Sequence, residues 1–143
     1  MGLGACVVVG VWFAALCVYD VRQRRLPNWL TLPGAAIVMG YAMLNGRGLP
    51  ALVGAAALGL LYLAVHVASA AAMGAGDVKL ALGVGAIGGY FGLDVWLLAA
   101  LAAPLLTAAW ALVELARRGA STVPHGPAMC AATAAASALA LLP

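Results

Sequence analysis

Charge is the scarcest property of this sequence. Only 8% of its residues are charged, four acidic and seven basic, against roughly 25% in an ordinary soluble domain. So few cations cannot neutralise a run of phosphates, so no nucleic-acid partner is expected. Cysteine is rare too. Cys6, Cys17 and Cys130 form no CxxC pair and lie in apolar stretches, so they read as small core residues, with no metal site or disulfide framework expected. Lys and Arg are absent before Arg22, which argues against a cleaved secretory signal. No pattern calls for a cofactor.

What the chain has in quantity is apolar surface: 66% of 143 residues are hydrophobic. A soluble fold of this size leaves too much surface exposed to hide that share, so the bilayer must be part of the solvent. With roughly 20 apolar residues per membrane helix, the length allows about six spans. The expected fold is all-α and polytopic: one transmembrane domain over residues 1–143, with short loops and no separate soluble domain.

Polar interruptions mark the spans. The first covers about residues 2–19, followed by the break Asp20-Val-Arg-Gln-Arg-Arg-Leu-Pro-Asn28. The second covers about 29–44, and Asn45-Gly-Arg-Gly-Leu-Pro50 is a turn rich in helix breakers. The third covers about 51–72 and leads into Met73-Gly-Ala-Gly-Asp-Val-Lys79. The fourth apolar stretch, 80–91, is short and dense in glycine; it spans either alone or with the residues around Asp77. Asp94 lies in the next break or just after it. The fifth span runs to about Val113, and the last starts near Pro124-His-Gly-Pro127 and ends at the C-terminus.

Parity gives the orientation. If the loop with Arg22, Arg24 and Arg25 faces the cytoplasm, as basic loops do, then Lys79, Arg117 and Arg118 return to that side and only Arg47 falls outside. Both termini are then outside. The same parity puts Asp20 at the inner end of the first span and Asp77 at the inner start of the fourth, at similar depth.

Carboxylates at a membrane are costly and usually functional. Asp94 is expected outside, and Glu114 suits a surface ion pair with Arg117 at i+3. Asp20 on its own could be a juxtamembrane charge paired with Arg22 or Arg24, and Asp77 a helix cap or a partner of Lys79. Together at one depth they read better as a dyad. Two carboxylates in contact share a proton; the charged one activates a water and the protonated one donates to a scissile carbonyl. The glycines in Gly74-Ala-Gly-Asp77 permit positive φ and the close approach of another strand. Pro27 ends a loop and Asn28 is expected to cap the second span. His66 reads as an interhelical hydrogen-bonding residue, Gly85 and Gly89 as a small-residue packing face, and His125 as structural.

These residues resemble a known family. Asp20-Val-Arg-Gln-Arg-Arg-Leu-Pro-Asn-Trp-Leu-Thr31 is similar to the first motif of type IV prepilin peptidases. Gly74-Ala-Gly-Asp-Val-Lys-Leu80 is similar to their GxGD motif, and Val123-Pro-His-Gly-Pro127 to the start of their final helix. The resemblance implies a membrane aspartic endopeptidase with Asp20 and Asp77 catalytic. Gly74, Gly76, Lys79, Arg22, Pro27 and Asn28 would shape the substrate site. The implied substrate is a prepilin or pseudopilin with a basic leader, cut after a glycine that precedes its hydrophobic helix. The implied location is the inner cell membrane, with the site facing the cytoplasm. The paired cysteines and N-terminal domain of the larger members are not found, so no methyltransferase activity is expected; the compact form is similar to the peptidase-only enzymes of tight-adherence pilus systems. Two other readings use the same residues: a different GxGD protease that cuts within the bilayer, and a non-catalytic subunit of a secretion or pilus machine. A transporter would carry its ionisable groups near mid-membrane, whereas here most lie at span ends.

Overall fold

The structure is a computed structural model that describes residues 1–71, 73–117 and 123–142. Arg118 and the first part of the loop leading to Pro124 lie outside these residues. The described residues form six helices and no strand: α1 (Leu3–Gln23), α2 (Asn28–Leu44), α3 (Gly48–Ala68), α4 (Ala75–Phe91), α5 (Leu93–Ala116) and α6 (Gly126–Leu139). The protein is a polytopic membrane protein. Helices α1, α3 and α5, of 21, 21 and 24 residues, are long and apolar enough to cross a bilayer; at 1.5 Å per residue each is over roughly 30 Å long. Helices α2 and α6 are apolar but shorter.

The longest helices are not the most buried. The long helices present bare Leu and Val, such as Leu52, Leu60, Leu101 and Leu105, to what would be lipid. The 17-residue α4 is the most interior element, with Leu80, Ala81 and Gly83 through Gly89 buried, and it packs against α2, α3, α5 and α6. Its glycines make this possible. A Cβ on Gly85 would sit 2.5 Å from the Gly54 carbonyl oxygen and 3.0 Å from Leu58 Cβ, so α3 and α4 touch backbone to backbone. This is the small-residue face expected at Gly85 and Gly89. The core is completed by Phe13 and Leu16 of α1, Tyr62 of α3, and Met129, Cys130 and Ala132 of α6.

Several helix ends differ from the sequence reading. Helix α1 continues through Asp20 to Gln23, because no breaker occurs before Pro27; it stops where Arg24 turns left-handed (φ 52°) and its N–H bonds the Asp20 carbonyl at 2.9 Å. The fourth stretch does include Asp77, since α4 starts at Ala75. Helix α3 begins and ends earlier than expected, at Gly48 and Ala68, and α6 stops at Leu139.

Candidate active site

Asp20 sits in the last turn and a half of α1 and is buried, 7% exposed. Its Oδ2 accepts the backbone N–H of Gly126, the first residue of α6, at 3.0 Å. The first amides of a helix have no partner within it and carry partial positive charge, so the start of α6 provides a ready anchor for a carboxylate. Glycine is what allows the approach: a Cβ on Gly126 would lie 2.6 Å from Asp20 Oδ2.

Asp77 is in the first turn of α4, half-buried. Its Oδ2 accepts the N–H of Gly74, the residue preceding the helix, at 3.3 Å. The helix-capping role weighed for Asp77 is therefore present, while pairing with Lys79 is not; Lys79 Nζ donates instead to Asn28 Oδ1 at 2.8 Å and joins α4 to the start of α2. Asn28 is thus the first residue of α2 and not its cap, a position held by Pro27. Neither Gly74 nor Gly76 adopts positive φ. Gly74 is extended (φ −73°, ψ 145°), and Gly76 serves close approach: a Cβ there would meet Leu26 Cβ at 3.0 Å. The strand that comes close is the chain's own α1–α2 loop.

The two aspartates lie at the same end of the bundle, within electrostatic reach, since Asp20 acts on Asp77 by its charge. Their helices touch through side chains, the Trp12 ring of α1 lying over Gly83 of α4, where a Cβ would meet it at 2.5 Å. Helix α6 contacts both α1 and α4 and bridges them. Arg24 also acts on Asp20 by its charge, while Arg22, in the last turn of α1, is exposed. There a cation offsets the negative end of the helix dipole.

A hydrogen-bonded chain beside the aspartates was not legible in the sequence. His125, the residue before α6, bonds Thr107 Oγ1 of α5 through Nδ1 (2.6 Å) and the Tyr62 hydroxyl of α3 through Nε2 (2.9 Å). Thr107 gives its one proton to the Ala103 carbonyl at 3.0 Å, so it accepts from His125 Nδ1–H. Nε2 then accepts from Tyr62 O–H, which fixes a neutral tautomer. Burial pushes the His125 pKa below its ordinary value, in the same sense. The sequence signal for this region was the Pro-His-Gly-Pro helix start, which gives free amides; nothing pointed to Tyr62 or Thr107.

Other expectations resolve differently. His66 Nδ1 pairs with the Met73 carbonyl of the loop that follows its own helix (2.7 Å) and bonds no second helix among the described residues. No ion pair joins Glu114 to Arg117 among the described residues; Glu114 Oε1 accepts the Trp110 indole N–H at 3.4 Å. Asp94 is in the first turn of α5, at the end of the bundle away from Asp20. Cys17 and Cys130 are in thiol–thiol contact one turn deeper than Asp20 and Gly126. No group of three metal-ligating side chains occurs among the described residues. An apolar cleft of about 330 Å³ between α1, α2 and α4, lined by Val8, Ile37, Tyr41 and Tyr90, offers no carboxylate.

A family model described as the type IV leader peptidase family matches residues 7–112. That stretch contains Asp20, Asp77, Tyr62 and Thr107 and ends before His125. No curated protein and no solved structure matches the chain.

Proposed function

Because this chain belongs to the type IV leader peptidase family, we propose that it removes the basic leader from prepilins or pseudopilins, with Asp20 and Asp77 as its catalytic pair. The protein is a membrane peptidase; its substrate, its reaction at the cytoplasmic boundary and its site residues are the proposal. The observation that carries it is that two carboxylates lie at one end of the bundle within electrostatic reach of each other, each with an oxygen held by a backbone amide: Asp20 by Gly126 and Asp77 by Gly74.

Like charges at close range cannot both ionise freely, so the pair holds one proton between them. The ionised member takes a proton from water as the water attacks the carbonyl carbon. The neutral member donates to the carbonyl oxygen, giving a tetrahedral diol. Proton return to the amine leaving group breaks the C–N bond and restores the pair. No covalent enzyme intermediate is needed. The amide anchors hold each carboxylate in place before substrate arrives. Four exposed or half-buried cations, Arg22, Arg24, Arg25 and Lys79, lie at the same end of the bundle as the aspartates, which favours a cytoplasmic orientation for that end. A substrate helix would stay in lipid while the residues around its cleavage glycine reach the site from the membrane edge. The Lys79–Asn28 bond and the Leu26–Gly76 contact hold the α1–α2 loop against α4 and shape that edge.

Co-expression with an epitope-tagged prepilin tests this reading. Wild type should shorten the prepilin, and Asp20→Asn or Asp77→Asn should each reduce cleavage by a thousandfold or more, on the order of what loss of an essential catalytic group costs. Normal processing by either variant would falsify the dyad. No processing by wild type would favour a non-catalytic subunit.

A further inference from the structure

We propose that His125 is a positioning residue for this peptidase: its ring, anchored to α3 and α5, fixes the His125–Gly126 peptide whose N–H holds Asp20. The inference rests on the reading of Asp20 as catalytic and concerns a residue outside both aspartate motifs.

The Asp20 carboxylate accepts a backbone amide, Gly126 N–H, at 3.0 Å. That amide is at the first residue of α6, where the helix has least support from its own hydrogen bonds. The residue before it, His125, occupies the cap position, yet its side chain caps nothing (φ −86°, ψ −29°). The ring turns instead to two other helices. Nδ1 donates to Thr107 of α5 and Nε2 accepts from Tyr62 of α3, which is 5% exposed. Thr107 is tied in turn to the Ala103 carbonyl within α5. Both nitrogens of one imidazole are thus pinned to helices of the packed bundle, and the backbone between this ring and Gly126 has little freedom left. The Tyr62 ring stacks obliquely on His125, with centroids 5.6 Å apart, and its hydroxyl lies within the field of Asp77. One side chain therefore couples the anchor of Asp20 to the surroundings of Asp77. A histidine that only satisfied the core would need neither the adjacency to Gly126 nor the link towards Asp77.

The test uses the full-length protein in detergent micelles and a synthetic prepilin with a basic leader, a glycine and an apolar helix. His125→Ala should lower kcat about tenfold to a hundredfold, the effect of an ångström-scale misplacement of a reacting group, and leave KM unchanged. His125→Asn keeps a donor for Thr107 and His125→Gln keeps an acceptor for Tyr62, so each should recover part of the loss. Tyr62→Phe removes the bond to Nε2, and Thr107→Val removes the bond to Nδ1 together with the internal one to the Ala103 carbonyl; neither opens a hole, and each should cost about threefold to tenfold in kcat even if the alanine variant fails to fold. The inference is overturned if folded His125→Ala, Tyr62→Phe and Thr107→Val all retain kcat within about twofold of wild type. It is equally overturned if kcat per folded molecule is unchanged and only the folded fraction drops. The control is Asp20→Asn. Cleavage by that variant at the wild-type rate sinks the catalytic reading, and this inference with it; an inactive Asp20→Asn beside fully active His125 variants sinks only the role of His125.

Discussion

Burial leaves the His125 imidazole with a pKa below its ordinary value, and its two hydrogen bonds require the neutral ring. The folded state therefore binds fewer protons here than the unfolded state, and stability rises with pH between the two values. The contribution is fully present above about 6.5, the unfolded value, and is lost as pH falls through the lowered folded value. The groups that face this ring, Tyr62 and Thr107, stay uncharged in that window, but Asp20 and Asp77 lie near and titrate too. The informative quantity is thus the difference between wild type and His125→Asn. The thermal midpoint of wild type in micelles should fall between pH 7.5 and pH 5 more steeply than that of His125→Asn, because only wild type has this imidazole to protonate. Parallel profiles would contradict the neutral, doubly bonded ring.

At the scale of helices, stability turns on how closely α3 and α4 pack. A methyl group on Gly85 meets the Gly54 carbonyl oxygen at 2.5 Å, Leu58 Cβ at 3.0 Å and Ala55 Cα at 3.1 Å, and two of these neighbours are backbone that cannot swing away. Gly85→Ala should destabilise by about 1–3 kcal/mol, the usual cost of overpacking a filled core. Gly40→Ala in α2 is the contrast, since a Cβ there has nothing within 4 Å; it should be neutral or stabilise by up to about 1 kcal/mol through the lower entropy of the unfolded chain. Unfolding of both variants by heat in detergent would check the pair. Reading helices from the sequence worked where breakers were strong: α2 was expected at 29–44 and occurs at Asn28–Leu44. It works less well after Tyr19, where charges alone suggest an end. Charges do not stop a helix when its side chains can reach water or an interface, and α1 carries on to Gln23.

For the whole molecule, the orientation proposed from the basic residues has a direct consequence. Arg25 and Arg47 are exposed at opposite ends of the bundle. In a background with Cys6, Cys17 and Cys130 replaced, a membrane-impermeant maleimide applied to intact cells should label Arg47→Cys and leave Arg25→Cys unlabelled until the membrane is opened. The reverse pattern would turn the protein over and put the aspartates outside. The burial pattern belongs to this scale too. Exposed leucines on the longest helices and glycines buried on α4 describe a bundle with α4 inside, a placement that hydropathy does not contain because it scores lipid-facing and core-facing leucines alike.

The sequence by itself determined that the chain lives in a membrane, how many helices it makes, and that Asp20 and Asp77 fall at one end of the bundle. These follow from composition and from the alternation of helix directions, which are properties of the chain read along its length. It also held the glycine at 126 and the Pro-His-Gly-Pro helix start, without saying what they were for. Only the tertiary structure decided that α6 bridges the aspartate helices, that the Gly126 amide holds Asp20, that Lys79 turns to Asn28, and that His125 joins Tyr62 and Thr107. The reason is physical: hydrogen-bond partners 63 or 106 positions apart are chosen by which helix faces pack together, and that choice depends on side-chain volume summed over all six helices at once.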